Sequence, residues 1–244
     1  MFYADCTNVI QSKPMGPAAF LYFQFFVYNR IQLMATDYGI PNYTINPNPA
    51  HHIDLGFTEE GQREVYEFCS DFMRSHNMES VIDVGCGSGY KLIKYLGSFQ
   101  TIGIETEPCY TALLSNYPHR EWKLSGEAEK SFAHTANKTN VDPDVVICSD
   151  VIEHIVDPDV LVDYLLTLNA AYYIISTPCR FVLCHHPRFA AQNRPNSGPP
   201  NNPCHVREWT MDEFKTYIGQ KFQIIESHYC KDQIECQFHL LVRK

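Results

Sequence analysis

The stretch Val81-Ile82-Asp83-Val84-Gly85-Cys86-Gly87-Ser88-Gly89 constrains the fold of this 244-residue chain more than any other. A β-branched run, favoured in strands, leads directly into glycines at alternate positions, and a helical pattern follows. Glycine turns the backbone at positive φ and lets a ligand lie against bare main chain. The stretch therefore reads as strand, tight turn and helix, with a ligand at the turn. Further β-branched runs, Thr101 to Glu105, Asp144 to Ser149 and Tyr172 to Ser176, alternate with helical patterns, which implies βαβ units and a parallel sheet. Asp157-Pro158 places a capping acid before a first-turn proline, and Thr210 stands at capping-box spacing from Glu213. Thr58 to His76 reads as an amphipathic helix with Val65, Phe68, Phe72 and Met73 on its apolar side. Phe222 to Tyr229 and Gln237 to Val242 read as two terminal strands joined by a turn around Lys231-Asp232-Gln233, an antiparallel hairpin.

Charge and cysteine usage narrow the function. Asp and Glu number 28 against 19 Lys and Arg, giving a net charge of -9. With no basic run, the electrostatic footprint of nucleic-acid binding is missing, so nucleic acid is a disfavoured partner. The ten cysteines are scattered without CxxC pairs, and no charged segment precedes an apolar one, which points to a reducing, cytoplasmic setting. The apolar stretch Ala18 to Tyr28 is short and contains Gln24, which is poor for a membrane span. Cys179, Cys184, His185, His186 and Cys204 fit no zinc-finger spacing.

Asp83 precedes a G-x-G-x-G turn, and Glu105 closes the next strand roughly twenty residues on, where a carboxylate can hold two ribose hydroxyls. An acid before the loop repels a pyrophosphate and suits a sulfonium cofactor that carries an amino group. A dehydrogenase turn reads G-x-G-x-x-G, whereas position 90 is Tyr90. Here the chain resembles the class I S-adenosylmethionine-dependent methyltransferases, from about Val81 to the C-terminus. The resemblance implies an α/β, Rossmann-like, seven-stranded, mostly parallel sheet with a C-terminal antiparallel hairpin and helices on both faces. It also implies an N-terminal helical extension or lid over residues 1–56, before a methyltransferase domain over 57–244. For the cofactor, it places Asp83 at the methionine end, with Gly85, Cys86, Gly87 and Gly89 packing closely. Glu105 and Thr106 fall at the ribose, Glu127 and Ala128 at the adenine, and Ser149 and Asp150 beside the methyl donor.

Asp150-Val151-Ile152-Glu153-His154 follows the fourth strand, at the sheet edge where open α/β folds bind ligands. Two chemistries are open. His154 or His205 takes the proton from an attacking hydroxyl, or these groups hold magnesium or another divalent cation that acidifies it. The pairing of acid-x-x-Glu-His with the later His205-Val206-Arg207-Glu208-Trp209-Thr210 resembles the magnesium site of small-RNA 3′-terminal 2′-O-methyltransferases. That resemblance implies Asp150, Glu153, His154 and His205 as ligands, with Asp150 standing where those families usually carry Glu. Bacterial sugar and small-molecule methyltransferases share the Pro-rich loop before His-Val-Arg-Glu-Trp-Thr, and this is the nearer resemblance. The expected reaction is one in-line methyl transfer to a hydroxyl of a sugar, glycan precursor or similar small metabolite. RNA ribose methylation, N-methylation and a non-catalytic partner role are the alternatives. Phe20, Tyr22, Phe23, Phe25, Phe26 and Tyr28 form an aromatic surface expected to act as a lid, a sheet-packing helix or a homodimer contact. His51, His52 and Asp54 are candidates to approach the pocket.

Overall fold

The computed structural model describes residues 37–56, 61–125 and 142–244. The aromatic N-terminal segment, Glu127 and Ala128 lie outside them. Strands β1 (Ser80–Val84), β2 (Gln100–Glu105), β3 (Glu121–Leu124), β4 (Val145–Ser149), β5 (Tyr172–Pro178), β6 (Phe222–Tyr229) and β7 (Cys236–Arg243) form one sheet. Its order is β3-β2-β1-β4-β5-β7-β6. The pairs among β1 to β5 are parallel, and β7 runs antiparallel to both β5 and β6. The expected mostly parallel, seven-stranded sheet with a terminal hairpin is the fold observed. β3 has no counterpart among the strands read from sequence. It is four residues long and buries only Trp122, too short to carry a period.

The helices are α1 (Arg63–Ser75), α2 (Tyr90–Leu96), α3 (Cys109–Asn116), α4 (Pro158–Thr167), α5 (Arg180–His185) and α6 (Met211–Ile218). Alternate residues of the central strands face opposite layers, as the pleat requires. Val81, Val145, Ile147 and Ile174 pack with Val65 and Met73 of α1, Leu92 and Leu96 of α2 and Leu113 of α3. Ile82, Val84, Val146, Cys148, Tyr173 and Ile175 pack with α4 and α6 through Leu161, Leu165, Phe214 and Ile218. β4 is buried along its whole length, as a strand covered on both faces must be.

The caps fall where the sequence placed them. Asp157 accepts from Asp159 N with Pro158 in the first turn of α4. Thr210 and Glu213 close a capping box on α6, with Thr210 N donating to Glu213 Oε2 at 2.7 Å. The helix expected from Thr58 starts instead at Arg63. Gln62 sits in the left-handed region at φ 60, and residues 57–60 lie outside the described part. Residues 38–56 follow no regular element but are tied to the domain. Trp209 Nε1 donates to Tyr38 O at 2.9 Å, and the Arg180 guanidinium covers the Tyr43 ring at 4.7 Å.

Candidate active site

Strand order reverses between β1 and β4, where doubly wound sheets open a crevice at their carboxyl ends. A cavity of about 770 Å³ lies at this place, and Gly85, Cys86, Gly87, Glu105, Thr106, Ser149, Asp150, Glu153, His154 and His205 all line it. Gly85 and Gly87 have φ of +78 and +56. A side chain on Gly85 would be driven into Val151, and a Cβ on Gly87 would lie 2.7 Å from Asp54 Oδ2. The loop is therefore glycine for both conformation and space. Gly89 starts α2, Cys86 is buried, and Ser149 Oγ lies 2.8 Å from Ser176 Oγ.

Asp83 is fully buried beneath the loop. Tyr66 OH donates to its Oδ2 at 2.9 Å, while Oδ1 has no hydrogen-bond partner. Burial pushes its carboxyl up to about 7, against the Tyr66 hydrogen bond and the charge of Lys91, with Glu105 pushing the same way as burial. Glu105 accepts from Gly87 N at 2.9 Å and from Thr106 N at 2.6 Å, with the Thr106 hydroxyl at 3.3 Å. Burial raises its carboxyl despite those backbone donors. Glu105 thus lines the cavity with both oxygens engaged, while Asp83, buried beneath the loop, keeps one oxygen with unmet demand for a donor or positive charge.

At the other end, β4 runs into a tight bend at Asp150 (φ +53) and a 3₁₀ turn, Ile152–His154. Glu153, His154 and His205 each bring one ligand atom within 4.8 Å of the others. Glu153 is fully buried, its Oε2 accepting from Thr177 Oγ1 at 3.1 Å and its Oε1 without a hydrogen-bond partner, 3.9 Å from His154 Nε2. Burial, then the charge of Asp150, raises its carboxyl well above the usual range. His154 Nδ1 meets Cys204 O at 2.9 Å, so Nδ1 carries the proton and Nε2 presents its lone pair. Burial, then His205, depresses its pKa to about 3, leaving a neutral ring. Asn202 Oδ1 accepts from Cys204 N, so its amide nitrogen donates to His205 Nε2 at 2.9 Å. His205 Nδ1 then donates to Glu208 Oε1 at 2.8 Å, the imidazole-to-carboxylate backing common behind metal ligands, so a cation at His205 Nε2 would take the place of the Asn202 amide.

Asp150, expected as the fourth ligand, is not in this cluster. Its short arm and positive φ turn it toward β5 and α1, where Ser176 Oγ donates to Oδ1 at 2.6 Å and Gln62 Nε2 to Oδ2 at 2.7 Å. His51, His52 and Asp54 do reach the cavity, and the His52 ring stacks on His154 at 5.1 Å. Sequence reasoning assigned no role to Tyr66, Gln62, Asn202 or Glu208. Only Glu208 had a signal, three residues after His205 in the quoted segment.

The family model described as a methyltransferase domain matches residues 57–231. No curated protein matches the chain. Among solved structures, the chain is similar to the methyltransferase domain of bacterial CtHen1, at 19% identity and TM-score 0.53, covering 74% of this chain and 98% of that one. It is also similar to magnesium protoporphyrin IX methyltransferase from Synechocystis PCC 6803 with bound S-adenosylhomocysteine (13%, TM-score 0.53), covering 93% and 99%. A third is N-methyltransferase NodS from Bradyrhizobium japonicum WM9 in complex with S-adenosylhomocysteine (11%, TM-score 0.52), covering 75% and 86%. At these identities the structural likeness speaks for the fold. The chain belongs to the methyltransferase domain family and is a class I S-adenosylmethionine-dependent methyltransferase. Among the described residues, no helix is long and apolar enough to cross a membrane.

Proposed function

We propose that the chain is an O-methyltransferase whose acceptor is a hydroxyl of a sugar, glycan precursor or similar small metabolite, held on a divalent cation by Glu153, His154 and His205. The observation that carries this reading is the buried, unpartnered Glu153 Oε1 facing a neutral imidazole of fixed tautomer, with the second imidazole backed by Glu208. A cation satisfies that set better than a proton does, because one buried oxygen and the open lone pair of His154 then gain a partner together. With its pKa near 3, free His154 is a weak base at neutral pH, which favours the ligand role over proton abstraction.

S-adenosylmethionine, when bound, supplies an electrophilic methyl group on a positively charged sulfur. In this reading Asp83 and Glu105 hold its amino-acid and ribose ends, and Glu127 and Ala128 its adenine. Gly85, Cys86, Gly87 and Gly89 admit it to bare backbone, with Thr106, Ser149 and Asp150 lining the slot. A bound cation, magnesium or a similar ion, would acidify the acceptor hydroxyl. Glu153, His154 and His205 then position that oxygen, and a vicinal diol gives it two points of attachment. In this reading the chain divides into an extension over residues 1–56, of which His51, His52 and Asp54 line the cavity, and a methyltransferase domain over 57–244, in a reducing cytoplasmic setting.

The nearest rival acceptor is an RNA ribose. The acid-x-x-Glu-His and later His pattern favours it, and the net charge of -9 opposes it. The test is a calorimetric titration of Mg²⁺ and Mn²⁺ into chelator-stripped protein saturated with S-adenosylhomocysteine, repeated with Glu153→Ala and His205→Ala. Saturable binding that both substitutions abolish is the expected result. Binding that survives both would remove the metal from the reading.

A further inference from the structure

The segment 51–56 has no regular secondary structure and lines the cavity through His51, His52 and Asp54. Just before it, Asn46 N donates to Val206 O at 2.8 Å and Ala50 N to Pro203 O at 2.9 Å, which ties the chain to the loop carrying His205. On the far side, the Cys109 thiol donates to Asp54 O at 3.5 Å. Ile53 and Leu55 are each 48% exposed, while Asp54 between them is half-buried and turned onto the glycine loop. An acid pointing inward between two aliphatic side chains pointing outward reverses the usual partition. Such an inward-facing acid is suited to a polar ligand on the inner face.

Asp54 Oδ1 is used locally, accepting from Gly56 N at 3.1 Å. Oδ2 accepts no hydrogen bond among the described residues and lies over the bare Cα of Gly87. Glu105 takes the amide of the same glycine, and both its oxygens already accept backbone N–H groups. Burial first, and Asp54 in addition, pushes the Glu105 carboxyl up. Two adjacent carboxylates become favourable when hydroxyl donors come between them.

Resting on the cofactor site proposed above, we propose that Asp54 is a further cofactor-binding residue: with Glu105 it takes the hydroxyls of the cofactor ribose at Gly87, and the strap 51–56 closes over the bound nucleoside. His52 of the same segment stacks on His154, so the segment that covers the cofactor slot also forms a wall of the acceptor side.

Calorimetric titration of S-adenosylhomocysteine into the full chain tests this, comparing wild type with Asp54→Ala, Asp54→Asn and Glu105→Ala. Asp54→Ala should weaken binding about tenfold, the worth of one hydrogen bond to a charged group, with the ligand-free Tm unchanged. Asp54→Asn should recover part of the loss, because its amide oxygen still accepts. The loss should persist with 5′-methylthioadenosine, which keeps the ribose and lacks the ammonium. A loss confined to S-adenosylhomocysteine would overturn the ribose assignment. Hydrogen exchange across 51–56 should slow when S-adenosylhomocysteine is bound, and unchanged exchange would overturn closure. Undiminished affinity in Asp54→Ala while Glu105→Ala loses binding would defeat the role of Asp54 and leave the cofactor site standing. Normal affinity in Glu105→Ala would remove the cofactor site and this proposal with it.

Discussion

Asp83 shows how a single residue can be poor for stability and well placed for binding. It is buried at the end of β1 with one oxygen unpartnered, and its carboxyl is pushed up to about 7. A carboxyl with a raised folded-state pKa binds its proton more tightly folded than unfolded. The ligand-free fold is therefore favoured at low pH, and that advantage is lost as pH climbs from about 4 through about 7. A cofactor bringing a positive charge works in the opposite direction, because it binds best once Asp83 is ionised. S-adenosylhomocysteine affinity should rise as pH is raised through about 7. Calorimetry in buffers of different ionisation enthalpy should show proton release below that pH. Asp83→Asn should flatten the profile, weaken binding and raise ligand-free stability at alkaline pH. A pH profile shared by wild type and Asp83→Asn would remove Asp83 from cofactor recognition.

At the scale of elements, α6 has its start fixed twice. Thr210 and Glu213 close the capping box, and Glu213 also pairs with the Arg180 guanidinium of α5, which is buried beside it. Thr210→Ala removes one cap and should cost about 1 kcal/mol. Glu213→Ala should cost clearly more, because it leaves a buried guanidinium without its carboxylate. Urea unfolding of the two variants measures the difference, and equal losses would mean that the ion pair contributes nothing. The caps of α4 and α6 were legible in the sequence because capping depends on residues a few positions apart. The start of α1 was not, since Gln62 owes its left-handed turn to tertiary contacts with Gln233 and Asp150. The same limit hid the fate of Asp150. Spacing along the chain aligns it with Glu153 and His154, but Ser176 and Gln62, distant in sequence, draw its carboxylate away.

Across the whole molecule, charge bears on the acceptor more directly than the fold does, because one sheet order serves methyltransferases with different acceptors. The cavity is lined by Asp54, Glu105, Asp150, Glu153, Glu208 and Glu235 against Lys91 and Arg194, and Arg194 is already paired with Glu208 at 3.4 Å. The chain as a whole carries 28 acids to 19 bases. A phosphate-bearing acceptor must approach a negative molecule and enter a negative cavity, and a single cation at the Glu153 cluster offsets only part of that. A neutral polyol meets no such barrier. Turnover of a neutral vicinal diol, followed as S-adenosylhomocysteine release, should therefore change little as salt rises from about 50 to 200 mM, the span over which phosphate-dependent binding falls steeply. A short RNA should bind weakly at the low end of that range and gain affinity, if anything, as salt screens the repulsion. Tight RNA binding at low salt that disappears as salt rises would show a basic docking surface on the protein, and would turn the acceptor assignment from small hydroxyl compounds to RNA ribose.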